Sequence, residues 1–305
     1  MPNKNFDNCV SFFIDNGAFQ GRLIRLNNVL DTILTKHAYP LPVSAVIAES
    51  TVLAAMLAST LKYDGLFTLQ TQSNGPIPMV VVDITSTGKV RSCARFDEER
   101  LNAGQTLRKT LGQIEPAPHL MGGGHLAFTV DQGDKTNLYQ GIVDLQGKNL
   151  TECALRYFKQ SEQIETGLKL FLQAPSGESK SWLAAGIMLQ KMPIKGGNEI
   201  DEKEAAEAWN EANIFMESLT ENEIFDAELS SADILHRLFH SQNLNITQNK
   251  EYQFECRCSR EKLLNTLSTF SKDDINAMIE NGKISATCHF CSENYCFDPT
   301  ELTKQ

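Results

Sequence analysis

Four cysteines near the C-terminal end of the chain form two close pairs. One residue separates Cys256 from Cys258, two separate Cys288 from Cys291, and 29 residues lie between the pairs. Two short turns that each present two thiolates can complete the tetrahedral shell of a structural Zn²⁺ ion. The spacing therefore predicts one Zn²⁺ per chain on these four cysteines, with reduced thiols that bind no metal as the alternative.

The same spacing allows a second chemistry, which is oxidation. A disulfide needs Cα atoms about 4.4–6.8 Å apart, and residues two or three positions apart can meet that distance, so each pair can oxidise within itself. Such small rings constrain almost nothing at long range, whereas a metal ion joins both pairs. Because structural zinc contributes folding energy to small regions, oxidation is expected to release the metal and unfold the C-terminal region. A zinc ion that only stabilises the fold is the alternative.

The other cysteines suggest simpler roles. Cys9, Cys93 and Cys153 lie in apolar sequence surroundings and are expected to be packed thiols. Cys296 lies five residues after Cys291, and we expect an inert, half-buried strand thiol there. A substitute metal ligand and an intermolecular disulfide remain open for Cys296.

Composition limits the classes of protein that can hold these cysteines. The chain has 305 residues, 41% of them hydrophobic, and a formal charge of −10, which suits a globular protein of about two domains. The acidic balance disfavours nucleic acid and anionic membranes as partners, because Lys and Arg make most phosphate contacts. The apolar stretch 43–61 is expected to be a buried core helix, since Glu49 and several hydroxyl side chains interrupt it. No secretory signal is recognisable, so we expect a cytoplasmic location, where thiols stay reduced.

Hydrophobic patterning predicts an α+β fold in three parts. Residues 1–190 mix hairpins with helices and form the core domain. Residues 191–245 form an acidic helical linker that begins with a turn around Gly196 and Gly197. Residues 246–305 form a small zinc-binding domain with a hairpin over 284–297, a helix start at Ser271 and a helix stop at Asn281-Gly282.

The linker carries the charge of the whole protein. Between Glu199 and His240 there are 12 acidic and 2 basic residues, so this segment sums to −10 and the rest of the chain to zero. Thr220 with Glu223 and Ser230 with Asp233 predict helix starts of the capping-box type. Short amphipathic helices need a partner surface to remain folded, so we expect the zinc domain to hold them against the core domain.

Seven segments spread along the chain resemble one known family, the redox-regulated chaperones of the heat shock protein 33 family. Those near the cysteines are F-E-C-R-C-S-R-E, T-C-H-F-C-S-E-N-Y and D-I-L-H-R-L-F-H. The others, in chain order, are L-D-T-I-L-T-K-H-A-Y-P, A-S-T-L-K-Y-D-G-L-F-T-L-Q, L-A-F-T-V-D-Q-G and Y-F-K-Q-S-E-Q-I. Their shared order over nearly the whole length makes coincidence a poor explanation. Cys296 departs from the family pattern, which usually has another residue there.

This resemblance implies a function that is not enzymatic. It implies that Cys256, Cys258, Cys288 and Cys291 are the zinc ligands and the redox-active thiols. It also implies zinc loss under oxidants, linker unfolding, a homodimeric active form, ATP-independent capture of unfolding client proteins and transfer of clients to ATP-driven foldases. The residues expected to meet clients are the large apolar ones of the linker, namely Trp209, Phe215, Leu219, Leu235 and Phe239.

Two other functional classes remain open. A thiol-disulfide oxidoreductase would turn over a disulfide substrate through one C-x-x-C pair, here Cys288 and Cys291. A zinc-ribbon adaptor would bind its partner independently of redox state.

Overall fold

The computed structural model describes residues 6–103, 120–133, 138–147, 149–176, 180–193 and 202–302. The turn expected around Gly196 and Gly197 lies outside the described residues. The strands are β1 (Asn8–Ile14), β2 (Phe19–Leu26), β3 (Leu66–Ser73), β4 (Met79–Thr85), β5 (Lys89–Arg95), β6 (Gly124–Asp131), β7 (Tyr139–Asp144), β8 (Thr166–Gln173), β9 (Leu183–Lys191), β10 (Asn245–Glu251), β11 (Gln253–Phe254), β12 (Ile279–Glu280), β13 (Lys283–Thr287) and β14 (Asn294–Phe297). The helices are α1 (Asn28–Thr35), α2 (Leu41–Thr60), α3 (Leu150–Tyr157), α4 (Glu202–Ser218), α5 (Glu221–Ile224), α6 (Ser231–Phe239), α7 (Arg260–Leu267), α8 (Lys272–Ala277) and α9 (Pro299–Leu302). This mixture confirms the predicted α+β class.

Two sheets enclose one central helix. The first sheet has the strand order β10-β1-β2-β9-β8 and the second has β11-β5-β4-β3-β6-β7. Helix α2 lies between them, and side chains of both sheets join its apolar residues in one buried cluster. Its length and composition would allow it to cross a membrane, but 78% of its most apolar window is buried inside the protein. Helix α2 is therefore the predicted core helix.

The linker helices, α4 to α6, pack on the face of the first sheet that points away from α2. Both predicted capping boxes are present, at Thr220 with Glu223 and at Ser230 with Asp233. The buried apolar side chains that the helices contribute to this interface are Ala212, Met216, Leu219, Ile224, Ile234, Leu235, Leu238 and Phe239. The first sheet supplies the partner surface that such short helices need.

Two cations of the first sheet bind backbone carbonyls of the acidic linker. Arg25 on β2 is fully buried and donates to the carbonyl oxygens of Asp226, at 2.5 Å, and Leu229, at 2.6 Å. Burial lowers the pKa of Arg25 to about 10, so it remains charged at neutral pH. Lys169 on β8 donates to the carbonyls of Glu217 and Leu219 at the end of α4, where a cation complements the helix dipole.

The chain crosses from the first sheet to the second at β10 and β11. Strand β10 pairs with β1, and three residues later β11 pairs in parallel with β5. Tyr252 between them is buried, and its hydroxyl donates to the Ala55 carbonyl of α2 at 3.2 Å. The crossing is close to the turn before β5, because a Cβ at Gly88 would lie 2.1 Å from the Glu251 carbonyl oxygen. The region before the cysteines is thus built into both sheets.

The structure differs from the sequence-based expectations in two places. Asn281-Gly282, expected to stop a helix, is the turn of the β12–β13 hairpin, with φ of 50° and 76°. Two consecutive residues with positive φ favour Asn-Gly, so the dipeptide was identified as a turn but assigned to the wrong element. The sequence analysis also did not identify β1, β2 or β10. The three-part division at residues 190 and 245 remains a prediction.

Replacing Arg25 should loosen the linker selectively. Arg25→Met leaves the Asp226 and Leu229 carbonyls without their buried donor, so the free energy for opening α4 to α6 should fall by roughly 1–3 kcal/mol. Hydrogen exchange of residues 202–239 measures this opening. Arg22→Met is the matched control, because Arg22 lies on the same strand but donates to the Ser59 carbonyl after α2. Equal exchange changes in both variants would contradict the anchoring role of Arg25.

Candidate metal centre and its docking on the core

The two cysteine pairs lie on loops that local hydrogen bonds shape. Cys256 and Cys258 follow β11, and Ser259 caps the start of α7 by accepting from the Lys262 amide. Cys288 and Cys291 lie in the turn between β13 and β14, where the Cys288 amide donates to the Glu293 carbonyl. We refer to residues 255–302, which contain both loops, as the cysteine lobe. Four buried apolar side chains, Leu267, Ile275, Ile284 and Phe297, form its small core.

The four thiols converge on one point. All four Sγ atoms lie within 4.8 Å of one another. The Sγ separations are 3.3 Å for Cys256–Cys258, 3.7 Å for Cys256–Cys288 and 3.4 Å for Cys258–Cys291. Zn–S bonds of about 2.3 Å in a tetrahedron place neighbouring sulfurs about 3.8 Å apart, whereas a disulfide needs about 2.05 Å. The structure therefore brings together the four cysteines singled out from sequence, at separations that fit a metal ion.

Hydrogen bonds distribute protons unequally over the cluster. Burial acts to raise the pKa of the Cys256 thiol, but hydrogen bonds with the Cys258 amide and with the neighbouring thiols bring it to about 7. Burial raises the pKa of Cys288 and Cys291. The Tyr295 hydroxyl lies 3.2 Å from the Cys258 Sγ and can donate to a thiolate there. Cys256 is thus prepared to become the first thiolate, the form of cysteine that binds metals and reacts with oxidants.

The remaining cysteines lie outside this cluster. Cys9, Cys93 and Cys153 are buried, which confirms that they are packed thiols. Cys296 on β14 pairs in register with Ser285 and is exposed. The expectation of a half-buried thiol was therefore wrong, because β14 is an edge strand of a three-stranded sheet in a small lobe.

Both cysteine pairs place their intervening residues on the same ion pair of the core. Asp83 on β4 is buried and accepts from Arg91 of β5 at 2.6 Å. Arg257, between the first two cysteines, donates to the same Asp83 oxygen at 2.8 Å. The ring of Phe290, between the second two, lies 3.9 Å from the Arg91 guanidinium. The arrangement of the cysteine loops is thereby transmitted to the outer face of the second sheet.

Weaker contacts surround this central one. Lys89 forms an ion pair with Glu255 at 3.1 Å, and the Ser292 hydroxyl lies 2.9 Å from His37 Nδ1. The Glu255 amide donates to the Val90 carbonyl and so extends the β11–β5 pairing. The sequence analysis did not identify Asp83, Arg91, Arg257 or Phe290. Only their position inside the cysteine motifs distinguishes the last two, and nothing in sequence distinguishes the first two.

The apolar linker residues expected to meet clients face the first sheet. Leu219, Leu235 and Phe239 are buried, and Trp209 and Phe215 are half-buried against the same cluster. The cysteine lobe docks on the second sheet instead. The structure thus differs from the expectation that the zinc domain holds the linker helices directly, because β10 and β11 lie between them along the chain.

Removing the shared carboxylate should loosen the lobe without touching the metal ligands. Asp83→Asn weakens the contact with Arg257 and leaves Arg91 without a buried counter-ion, a loss that typically costs about 3–5 kcal/mol. We expect faster hydrogen exchange of 255–259 with unchanged metal content. Glu255→Gln is the control, since its half-exposed pair with Lys89 is worth at most about 1 kcal/mol. Equal effects of the two substitutions would refute a central role for Asp83.

Comparisons with known proteins agree with this architecture. A solved structure from Thermotoga maritima, a 33 kDa chaperonin described as a heat shock protein 33 homolog, superposes with a TM-score of 0.78. It is 23% identical and covers 98% of this chain and 97% of its own, a similarity that speaks for the fold.

Sequence relatives extend this to family membership. The 33 kDa chaperonin of Caulobacter vibrioides is 36% identical over 297 residues, covering 96% of this chain and 95% of that protein. The 33 kDa chaperonin of Ectopseudomonas mendocina is 33% identical over 295 residues, covering 96% and 92%. The model of the family described as Hsp33 protein matches residues 7–298. The resemblance noted from sequence is thus confirmed, and the chain belongs to the Hsp33 family of chaperones.

Proposed function

We propose that this chaperone is a redox-regulated, ATP-independent holdase that binds unfolding proteins under oxidative stress. The observation that carries the proposal is the double use of the cysteine loops. Their four thiols form one metal-sized cluster, and their intervening residues, Arg257 and Phe290, dock on the Asp83–Arg91 pair. Any reaction of the thiols therefore changes a contact with the core.

In the reduced protein, Cys256, Cys258, Cys288 and Cys291 hold one Zn²⁺ as thiolates. The bound ion supplies a tie between loops that are 29 residues apart. Tyr295 can donate a hydrogen bond to the Cys258 thiolate, which orients that ligand. The small apolar core of the lobe, with four buried side chains, is weak alone, so the lobe depends on metal binding for its stability.

Oxidation removes the ligands in pairs. Each pair, Cys256 with Cys258 and Cys288 with Cys291, gives two electrons and two protons to a peroxide or hypochlorous acid and forms one disulfide. The peroxide is reduced to water, or hypochlorous acid to chloride and water. Because disulfide sulfurs are poor zinc ligands, oxidation releases the metal. The new rings are local, so the two loops are no longer joined.

Loss of the lobe reaches the linker through the crossing strands. Without Arg257 and Phe290 on the second sheet, only two residues of β11 keep the chain on β5. The adjoining β10 is an edge strand of the first sheet, and α6 precedes it. A linker that carries ten excess negative charges is self-repelling once its support weakens.

Unfolding of the linker exposes the apolar surface that clients bind. This surface comprises Trp209, Phe215, Leu219, Leu235 and Phe239 together with the uncovered face of the first sheet. The active form is a homodimer in the cytoplasm, and its clients pass to ATP-driven foldases. The family names support this role over an enzymatic one, since the related proteins are chaperonins by name.

Light scattering of an aggregating test protein provides the principal test. Reduced, zinc-loaded protein should suppress aggregation weakly. The same sample after peroxide with mild heat, or after hypochlorous acid, should release about one zinc per chain and suppress aggregation strongly, and reductant with zinc should reverse both changes. Zinc release without any change in suppression would leave the metal as a structural element and favour an adaptor. Turnover of a disulfide substrate would favour an oxidoreductase.

Two cysteine variants separate the metal site from the exposed thiol. Cys291→Ser should reduce zinc affinity by at least a hundredfold, measured by competition with a chromogenic chelator, because one of four thiolates is lost. Cys296→Ser should bind zinc like the wild type but form fewer disulfide-linked dimers after oxidation, measured on non-reducing gels. Disulfide maps identical to wild type after oxidation of Cys296→Ser would exclude a role for this thiol.

A further inference from the structure

The lobe covers a patch on the outer face of the second sheet that has its own binding features. We define the lobe footprint as Met79, Val81, Asp83, Arg91 and Cys93 on β4 and β5. Register supports a common face, since Val81 pairs with Cys93 and Asp83 with Arg91 across the two strands. The footprint combines apolar side chains with one buried carboxylate. It lies on the sheet opposite to the one that the linker helices cover.

The lobe fills the footprint incompletely. A cavity of about 460 Å³ remains between lobe and sheet, lined by Met79, Val81, Cys93, Ala94, Arg95, His289 and Phe290. Protein interiors are normally packed with few voids larger than a water molecule. Unfilled apolar space loses dispersion contacts, so the footprint fits its present occupant less well than a core would. It has room for a larger apolar group than the lobe supplies.

The two side chains that enter the footprint define the chemistry that it accepts. Phe290 places an aromatic ring over the Arg91 guanidinium at 3.9 Å, and Arg257 places a cation on the Asp83 carboxylate at 2.8 Å. Aromatic rings attract guanidinium groups placed over their faces, and buried carboxylates favour a hydrogen-bonded cation. Departure of the lobe leaves both positions available together.

We infer that the lobe footprint is a second client-binding surface, which accepts extended polypeptide segments carrying an aromatic side chain near an Arg or Lys. In this structure Phe290 and Arg257 occupy the positions that such a segment takes. This inference rests on the proposed function, because the footprint opens only when the lobe leaves. Charge complementarity supports a basic occupant, since the chain carries a net charge of −10, which attracts cationic segments.

Peptide binding to the oxidised full-length protein tests the inference. The probe is a fluorescein-labelled peptide with one Phe and one Arg in a Gly/Ser background, and fluorescence anisotropy gives its Kd. Oxidised wild type should bind it more tightly than the reduced, zinc-loaded protein. Replacing the Arg of the peptide by Glu, or its Phe by Ala, should each weaken binding by about tenfold, the loss expected for one charge-assisted or aromatic contact.

Footprint variants locate the site on the protein. Asp83→Asn and Val81→Ser should each raise the Kd of the oxidised protein by about five- to tenfold. Ile142→Ser is the matched control, because Ile142 is exposed and Gln70 and Ala127 connect it in register with Val81, outside the footprint. The double variant Arg257→Ser/Phe290→Ser keeps all four cysteines and should bind the peptide even when reduced and zinc-loaded.

The outcomes separate this inference from the proposed function. If oxidised wild type suppresses aggregation but both footprint variants bind the peptide like Ile142→Ser, the holdase stands and the footprint is not a client site. If reduced and oxidised wild type bind the peptide equally, the inference is also overturned. If oxidised wild type suppresses no aggregation, the proposed function itself fails. Circular dichroism and zinc content of the reduced variants verify that each one folds.

Discussion

The passage of the chain from one sheet to the other, at residues 245–254, is the constraint on which the remaining arrangement depends. Strand β10 completes the first sheet, β11 extends the second, and the buried Tyr252 attaches the join to the central helix. The linker helices precede this segment and the cysteine lobe follows it. Two parts of the molecule that pack on different sheets are therefore mechanically linked through a short piece of strand.

Buried charge reinforces the coupling at both of its ends. Asp83 is buried between Arg91 and Arg257, so the lobe contributes half of the cationic environment of a core carboxylate. Arg25 is buried beneath the linker and donates to two carbonyls. A buried charge that loses its partner costs several kcal/mol, whereas an exposed pair such as Lys89–Glu255 costs little. These contacts make docking sensitive to small displacements of the loops.

Sequence patterns identified the elements whose signals are local. The central helix was evident from its apolar run, the two capping boxes from residue pairs three positions apart, and the hairpin over 284–297 from alternation. The strands β1, β2 and β10 were not identified. Strand β10 has mostly exposed side chains, so hydrophobic alternation is weak there, and its place is set by pairing with β1 more than 200 residues earlier. Asn281-Gly282 shows a related limit, because a turn dipeptide does not reveal which elements it connects.

The sequence by itself determined the four thiols, their pairing by proximity, the acidity of the linker and the family to which the chain belongs. These properties depend on residue type and short spacing, which sequence states directly. Only the tertiary structure decided that the linker rests on the first sheet, that the lobe rests on the second, and that Arg257 and Phe290 meet on Asp83 and Arg91. The reason is physical: these contacts join residues more than 150 positions apart, and their partners are selected by the shape and charge of surfaces that exist only after folding.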